Sequence, residues 1–203
     1  MPNQKIPLLI SGGIGTGKST LGRNLAKHYH LKFISASDTH RRILAQVEKM
    51  DTGKKDDRTF WESKAGEKGM QARQRNLQID RNVDKTLLAA LRKNPNIVTD
   101  ARLMPWLYRG KAIRIYIQIS EMESARRVRE RDRMPLKKVL PKIRKRFKTD
   151  QKLFQKLYHI NYGKDFSPFD LVINTEGYES KDTFRVVKAF IDVKMRALEK
   201  THH

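Results

Sequence analysis

The sequence predicts an α/β fold of three layers, in which a five-stranded parallel sheet is covered by helices on both faces. Short apolar segments of strand length alternate with longer segments whose apolar residues recur at helical spacing. This alternation is typical of a parallel sheet that is buried on both faces. A glycine-rich segment also separates the first predicted strand from the first predicted helix. The predicted strands are residues 6–10, 31–34, 96–100, 112–119 and 170–174.

Each strand or helix is predicted from the residues of its own segment. Strand 6–10 reads Ile-Pro-Leu-Leu-Ile, and strand 112–119 is rich in the β-branched residues that strands favour. The helix predicted at 19–28 has apolar residues at helical spacing, namely Leu21, Leu25 and Ala26. The last predicted helix, 181–199, has a mostly apolar stripe made by Phe184, Val187, Lys188, Ile191 and Met195.

Two long segments interrupt this alternation. Residues 38–94 are too long for one crossover helix, and they contain a polar piece at 51–69 before a long helix predicted at about 70–93. Residues 126–156 are the second segment. Ligands of open α/β sheets bind beyond the carboxyl ends of the strands, where both segments leave the predicted sheet. We therefore expect the two segments to close over a ligand from two sides, within a single domain of 1–203.

The composition excludes several classes of protein. The 203 residues include no cysteine, which excludes disulfides and thiolate metal sites. No segment approaches the length of a membrane span, and the first apolar run is too short for a signal peptide. We expect a monomeric cytoplasmic protein without membrane contact.

The chain is strongly basic, with a formal net charge of +22. The segment 126–156 holds fourteen Lys and Arg residues but three acidic ones, so it contributes half of that excess. Such a charge favours polyanionic ligands such as nucleotides, nucleic acid or an acidic membrane. For most of these lysines a solvated basic surface is the simpler interpretation.

The most informative motif is Gly12-Gly13-Ile14-Gly15-Thr16-Gly17-Lys18-Ser19, followed by Thr20. Its G-x-x-x-x-G-K-S spacing is that of the P-loop, in which glycines allow positive φ and direct backbone N–H groups at phosphate oxygens. Lys18 is expected to reach the β- and γ-phosphates of ATP, and the Ser19 hydroxyl to bind Mg²⁺. A glycine-rich turn followed by Lys-Ser by chance is the alternative, but the predicted strand and helix around the motif favour the P-loop.

Five blocks of sequence, the first of which contains the P-loop motif, share a pattern with one family of kinases. They are Ile10 to Ser19, Lys32 to Asp38 with Arg41, Val98 to Leu103 with Trp106, Tyr116 to Asp132, and Asp150 to Tyr158 followed by Phe169 to Thr175. Together they resemble the short cytidylate kinases found mainly in archaea, within the nucleoside monophosphate kinase group of P-loop kinases. The last block is the most specific to that family. Leu153 departs from the pattern, because the family has an arginine there near the acceptor base or sugar.

The resemblance implies a role for the arginines that residue chemistry supports, because a planar guanidinium binds phosphate through two parallel hydrogen bonds. Arg41 and Arg102 follow the second and third predicted strands and are expected to hold the acceptor phosphate. Arg127 and Arg131 share one helix face at i, i+4 and are expected to reach the transferring phosphoryl group from the lid 126–156. Arg146 is a third candidate on the returning arm of the lid. A surface ion pair is the alternative for each of these side chains.

The resemblance also implies roles for three acidic residues and a serine. Asp100 ends the third predicted strand in the manner of a Walker B carboxylate and is expected to orient Mg²⁺ or its waters. Ser37, Asp38 and Asp150 are expected to help bind the acceptor within or beside the insert 38–94, although Asp38 would equally suit a helix N-cap. The six histidines form no recognisable metal site.

The function implied by the resemblance is transfer of the γ-phosphoryl group from ATP to CMP or dCMP, with Mg²⁺ as cofactor. Two alternatives remain open at this point. One is a P-loop kinase with another small acceptor, such as dephospho-coenzyme A or a different nucleoside monophosphate. The other is a basic P-loop protein that interacts with RNA, which the charge of +22 would favour. No set of interleaved aromatic residues marks a base-stacking platform, which argues against this second alternative.

Overall fold

The computed structural model describes residues 6–53 and 60–200, so the terminal pair His202-His203 and part of the polar piece 51–69 lie outside it. The strands are β1 (Leu8–Gly12), β2 (Lys32–Ser35), β3 (Ile97–Asp100), β4 (Ile113–Gln118) and β5 (Leu171–Asn174). The helices are α1 (Lys18–His28), α2 (Ala36–Val47), α3 (Lys64–Arg75), α4 (Gln78–Lys93), α5 (Met104–Leu107), α6 (Glu121–Asp132), α7 (Leu136–Tyr158) and α8 (Ser180–Lys200). A short 3₁₀ turn, Phe60–Glu62, precedes α3.

The five strands form one parallel sheet in the order β2-β3-β1-β4-β5, which agrees with the predicted fold class. The central strand β1 pairs with β3 and β4, so that Leu8 is aligned with Val98 on one side and with Ile113 on the other. Strand β1 extends to Gly12 rather than ending at residue 10, because Gly12 still pairs with Ile117 of β4. This arrangement puts the glycine loop and the carboxyl ends of β2 and β3 at one edge of the sheet.

Alternating residues of β1 supply the two apolar layers beside the sheet. Leu8 and Ile10 belong to a buried cluster with residues of α1 and α8. Leu9 points to the opposite face and belongs to a cluster formed with residues of α2, α3 and α4. A further cluster on that side joins Tyr116 of β4 to α7. The sheet is therefore covered on both faces, as the near-continuous apolar strands require.

The prediction of one long helix at about 70–93 is wrong, because the structure divides this part of the chain into α3 and α4. Asn76 ends α3 with an extended backbone, at φ −123° and ψ 91°. Its side-chain Oδ1 then accepts a hydrogen bond from the N–H of Gln78 at 3.1 Å, where α4 begins. Asparagine favours such local bonds over continued helix, which explains the break.

The predicted lid 126–156 lies on two helices that pack together. Ala125 and Val128 of α6 meet Val139 and Ile143 of α7 in a small apolar cluster. Ile14 of the glycine loop is buried in the same cluster, which connects the base of the lid to the predicted phosphate site. Within the described residues, no helix combines the length and the apolar character needed to span a bilayer.

Candidate active site

The glycine loop joins β1 to the N-terminus of α1 and requires glycine at several positions. The backbone φ is +68° at Gly15 and +88° at Gly17, a region that L-residues with side chains rarely adopt. A Cβ atom on Gly12 would lie 2.2 Å from the carbonyl oxygen of Ile117. The loop therefore stays close to β4 while it turns its N–H groups toward the start of α1, and a helix N-terminus is a favourable place for an anion.

Lys18 is half-buried at the first position of α1, and its side chain bends back over the loop. Its Nζ donates hydrogen bonds to the carbonyl oxygen of Gly13 and, at 3.3 Å, to Oγ1 of Thr16. Burial lowers the pKa of Lys18 to about 8, and the positive charges of Arg102 and Arg146 act in the same direction. The carboxylates of Asp100 and Asp150 oppose this shift. The charged form of Lys18 is thus disfavoured in the free site, and a bound anion would stabilise it.

The two predicted metal-binding residues are in contact. The hydroxyl of Ser19 donates a hydrogen bond to Oδ2 of Asp100. Asp100 is at the end of β3, and it is brought there because β3 pairs directly with β1. A hydroxyl and a carboxylate are oxygen donors of the kind that Mg²⁺ prefers. Among the described residues, no group of three or more His, Asp or Glu side chains is placed to hold a metal ion, so these oxygens fit a Mg²⁺ held mainly by a nucleotide phosphate.

The acceptor residues predicted near β2 occupy the first turn of α2. Ser37 Oγ accepts a hydrogen bond from the indole Nε1 of Trp61 at 2.6 Å. The buried guanidinium of Arg41 donates to the carboxylate of Asp38. The alternative that Asp38 caps the helix is wrong, because α2 already begins at Ala36 with Ser35 in the N-cap position.

Beside these predicted acceptor residues, the structure contains a chain of four alternating charges, three of which are buried. Arg102 donates to Asp150 at 2.6 Å, and the other oxygen of Asp150 lies 3.2 Å from Nη1 of Arg73. Arg73 in turn donates to Asp80 at 2.6 Å through Nη2. The side chains of Arg73, Asp80 and Asp150 are each at most 3% exposed. Four different elements of the fold are joined by this chain of ion pairs, which we call the charge relay Arg102–Asp150–Arg73–Asp80.

The relay depends on mutual charge neutralisation. Burial by itself would raise the pKa of Asp80, but the guanidinium of Arg73 and the imidazole of His40 hold that pKa below its ordinary value. The ring of His40 lies 3.3 Å from Asp80, and burial together with the charge of Arg73 lowers the pKa of His40. The buried carboxylate of Asp80 is thus kept ionised by its two partners.

Asp84, one turn after Asp80 on α4, has the opposite tendency. Burial raises the pKa of Asp84 to about 7, and the charge of Asp80 adds to this rise. A hydrogen bond from the hydroxyl of Tyr158, at 2.8 Å, only partly opposes the shift. Both carboxylates also line the cavity described below. Sequence reasoning missed both residues, although carboxylates at positions 80 and 84 continue the spacing of the buried Leu87 and Leu91.

One cavity of about 400 Å³ connects the glycine loop with this acidic and basic floor. Most of the predicted site residues line it: Ile14, Gly15, Gly17, Lys18, Ser19, Thr20, Ser37, Asp38, Asp100, Arg102, Arg127, Arg131 and Arg146. The remaining ones lie outside its wall: Gly12, Gly13, Thr16, Arg41 and Asp150. Of these, Asp150 is the partner of a wall residue, Arg102.

The three predicted lid arginines reach the cavity from α6 and α7. Arg127 is held in place by Glu123, at 2.7 Å, and by the carbonyl oxygen of Thr175 at 2.8 Å. Arg131 donates to the adjacent Asp132. The guanidinium carbon of Arg146 lies 5.0 Å from the centre of the Trp61 ring, within the range of a cation–π contact. The lid therefore presents positive charge toward the same space as Lys18.

Comparisons with known proteins identify the family of the chain. The sequence pattern of the Cytidylate kinase-like family matches residues 9–177. The chain belongs to this family. The chain is 31% identical to "Cytidylate kinase" of Thermococcus kodakarensis over 192 residues, which cover 95% of the chain and 91% of that protein. It is 29% identical to "Cytidylate kinase" of Pyrococcus horikoshii, again over 95% of the chain and 91% of the relative.

The fold also resembles a solved kinase structure of distant sequence. A gluconokinase from Sinorhizobium meliloti superimposes with a TM-score of 0.59 at 16% sequence identity, covering 98% of both chains. The family predicted from the sequence and the predicted P-loop kinase fold are therefore both confirmed.

Proposed function

We propose that the protein is an ATP-dependent nucleoside monophosphate kinase that transfers the γ-phosphoryl group of ATP to CMP or dCMP. The observation that carries this proposal is the continuous cavity between the P-loop and an arginine-lined pocket at the ends of β2 and β3, in a chain of the Cytidylate kinase-like family. Membership of that family and its named relatives also support the enzyme class, an ATP-dependent phosphotransferase.

The donor end of the cavity is suited to the phosphates of ATP. The loop N–H groups and the ammonium of Lys18 bind and neutralise the β- and γ-phosphates. Ser19 and Asp100 would hold Mg²⁺ through their oxygens, and Mg²⁺ neutralises the charge that develops between the β- and γ-phosphates. With these contacts the triphosphate is fixed at one edge of the sheet.

The acceptor end places a second phosphate in line with the first. Arg102 is oriented by Asp150, so its guanidinium has a fixed direction on the cavity wall. An oxygen of the acceptor phosphate then forms a bond to the γ-phosphorus while the bond between that phosphorus and the β–γ bridging oxygen breaks, which leaves ADP. The spread negative charge of this transition state requires several cations, and Arg127, Arg131 and Arg146 provide them from the lid.

The far wall suits the base of a cytidine nucleotide. Asp80 and Asp84 line the cavity, and the carboxylate of Asp80, which Arg73 and His40 keep ionised, accepts hydrogen bonds. Cytosine presents an amino group at C4, whereas uracil presents a carbonyl oxygen that a carboxylate would repel. The arginine that the family has at position 153 is replaced here by a buried leucine. We propose that α4 supplies the polar contacts to the base instead.

The lid also limits the competing reaction, hydrolysis of ATP. Arg127 and Arg131 lie on α6, whose Ser124 donates to the carbonyl oxygen of Ile14 at 2.7 Å. The lid is therefore attached to the P-loop, and its closure would exclude water from the γ-phosphate. The predicted monomeric state and cytoplasmic location remain predictions.

An acceptor panel tests the proposal. ADP formation from ATP and Mg²⁺ is measured with CMP, dCMP, UMP, AMP, GMP and dephospho-coenzyme A, and the phosphorylated product is identified by ³¹P NMR. We expect the largest kcat/KM with CMP or dCMP, and little ATP hydrolysis without an acceptor. A preference for dephospho-coenzyme A, or ATP hydrolysis that no acceptor stimulates, would contradict the proposal.

A further inference from the structure

The exposed side of α7 carries an unusual concentration of positive charge. We define the α7 basic face as the seven exposed cationic residues Lys137, Lys138, Arg144, Lys145, Lys148, Lys152 and Lys156. At 3.6 residues per turn these positions fall within roughly a third of the helix circumference, and they extend over about 29 Å along its axis. The remaining exposed residues of α7 are Pro141 and Gln155.

The α7 basic face contains no acidic side chain. Asp150, the single acidic residue in the sequence of α7, is on the opposite side and is buried within the charge relay. At the borders of the face, Glu121 pairs with Arg144 at 2.6 Å and Glu67 pairs with Lys142 at 2.9 Å. Catalysis at the cavity uses the opposite side of α7, where Arg146 lies. The lysines of the basic face are therefore not explained by the proposed kinase reaction.

The chemistry of the face restricts its partner. Apart from Pro141, no apolar side chain of α7 is exposed. Four are buried (Val139, Ile143, Leu153 and Phe154) and four are half-buried (Leu136, Leu140, Phe147 and Leu157). A membrane-bound helix needs an available apolar face, and a protein interface typically needs aromatic or aliphatic anchors. Binding of single-stranded nucleic acid usually relies on aromatic rings that stack on bases. A regular row of phosphates on a duplex requires only cations at intervals along a line.

We propose that the α7 basic face binds the phosphate backbone of a nucleic acid duplex without sequence preference. One cationic side chain for about every 4 Å of the α7 axis is comparable to one phosphate of each strand for about every 3.4 Å of the duplex axis. Contacts of this kind release counterions, and the affinity falls steeply as the salt concentration rises. The cavity stays accessible, because the face and the cavity lie on opposite sides of α7.

The test compares two variants with the same net charge. In the first, four lysines of the face are replaced by glutamine: Lys138→Gln, Lys145→Gln, Lys148→Gln and Lys152→Gln. In the control, four exposed lysines away from α7 are replaced in the same way: Lys27→Gln, Lys32→Gln, Lys85→Gln and Lys93→Gln. Fluorescence anisotropy measures binding to labelled duplex DNA and duplex RNA of about 20 base pairs, between about 50 and 200 mM NaCl. Thermal unfolding checks that both variants are folded.

We expect the α7 variant to bind either duplex at least about tenfold more weakly at about 100 mM salt, and the slope of log K against log salt to decrease by about three to four. The control should stay within about twofold of the wild type, with an unchanged slope. Equal losses in both variants would overturn the proposal, because they would reflect net charge alone. So would undetectable duplex binding by the wild type at about 50 mM salt, including the case in which it binds only vesicles that contain phosphatidylserine.

Discussion

The donor and acceptor halves of the cavity are built in different ways. The donor half is made by contiguous residues, from Gly12 to Ser19, with Asp100 added by a neighbouring strand. The acceptor half depends on the charge relay, whose members come from α3, α4, α7 and the segment after β3. One half is defined by backbone conformation and the other by ion pairs between distant parts of the chain.

Because of this difference, we expect substitutions in the donor half and in the acceptor half to have different consequences. A side chain of the P-loop can be removed without disturbing the backbone that shapes the loop, so the loss should appear in catalysis. A member of the charge relay cannot be removed without leaving an opposite charge buried and unpaired, so the loss should appear first in folding stability. The predictions below test this contrast.

The largest effect on stability is expected for Arg73→Met. The substitution removes the guanidinium between Asp80 and Asp150, both of which are buried. Breaking a buried ion pair from one side costs about 3–5 kcal/mol. Urea unfolding of the wild type and the variant at neutral pH measures the difference.

Arg75→Met is the matched control. Arg75 is on the same helix, but its side chain is 74% exposed and its ion pair with Glu48 is long, at 3.7 Å. We expect the control to change the free energy of unfolding by less than about 0.5 kcal/mol. If Arg73→Met also stays within about 1 kcal/mol of the wild type, the relay does not stabilise the acceptor half.

For the donor half, Lys18→Ala should reduce kcat with ATP and CMP by at least about a hundredfold, because one cationic contact to the transferring group is lost. The free energy of unfolding should remain within about 1 kcal/mol of the wild type, since the replaced ammonium is already disfavoured by burial. Steady-state kinetics and urea unfolding check the two parts. Lys27→Ala, an exposed lysine on the same helix, provides the control. Wild-type turnover of Lys18→Ala would refute the role of Lys18.

The same contrast explains how much of the site could be predicted from the sequence. The P-loop residues are adjacent in the chain and their spacing alone is diagnostic, as Gly15, Gly17 and Lys18 illustrate. The position of Asp100 also follows, because strands β1 and β3 pair and their carboxyl ends lie at one edge. Five strands were predicted from apolar content and alternation, and the sheet in the structure contains all five.

The charge relay could not be predicted in this way. Arg102 and Asp150 are 48 residues apart, and their contact depends on how α7 packs against the sheet. Arg73 and Asp80 would be separated by about 10 Å along a continuous helix, as predicted for 70–93. The break at Asn76 allows their side chains to meet at 2.6 Å. Charged residues in a basic sequence have many possible partners, and only tertiary packing selects among them.

A smaller and pH-dependent effect on the free energy of unfolding is expected for Asp84→Asn, because burial raises the pKa of Asp84 from 3.8 to about 7. Because the folded protein binds this proton more tightly than the unfolded chain, the contribution of Asp84 to stability is lost as the pH rises from about 4 through 7. Asp84→Asn removes the titration. Relative to this variant, the wild type should therefore become less stable by roughly 1–3 kcal/mol between about pH 5 and pH 8.

Urea unfolding of both proteins at these two pH values measures the effect of Asp84. Asp182→Asn makes the same substitution at a side chain that is 42% exposed and serves as the control. A pH-independent difference for Asp84→Asn would mean that Asp84 is ionised throughout the range, which would remove the contrast between Asp84 and Asp80.

The smallest effect concerns protons taken up when nucleotide binds to the donor half. With a pKa of about 8, a large fraction of Lys18 is neutral in the free protein at about pH 8.5, whereas contact with phosphate favours its charged form. Binding of Mg²⁺ and ATP should therefore take up more than about half a proton at this pH, and close to none through Lys18 at about pH 6.5. Calorimetry in two buffers of different ionisation enthalpy measures the uptake.

Lys18→Arg is the control, because a guanidinium stays charged in both states and should abolish the uptake. If the wild type and Lys18→Arg take up the same number of protons, the ammonium of Lys18 is fully charged before ATP binds, and burial in the donor half does not discharge it.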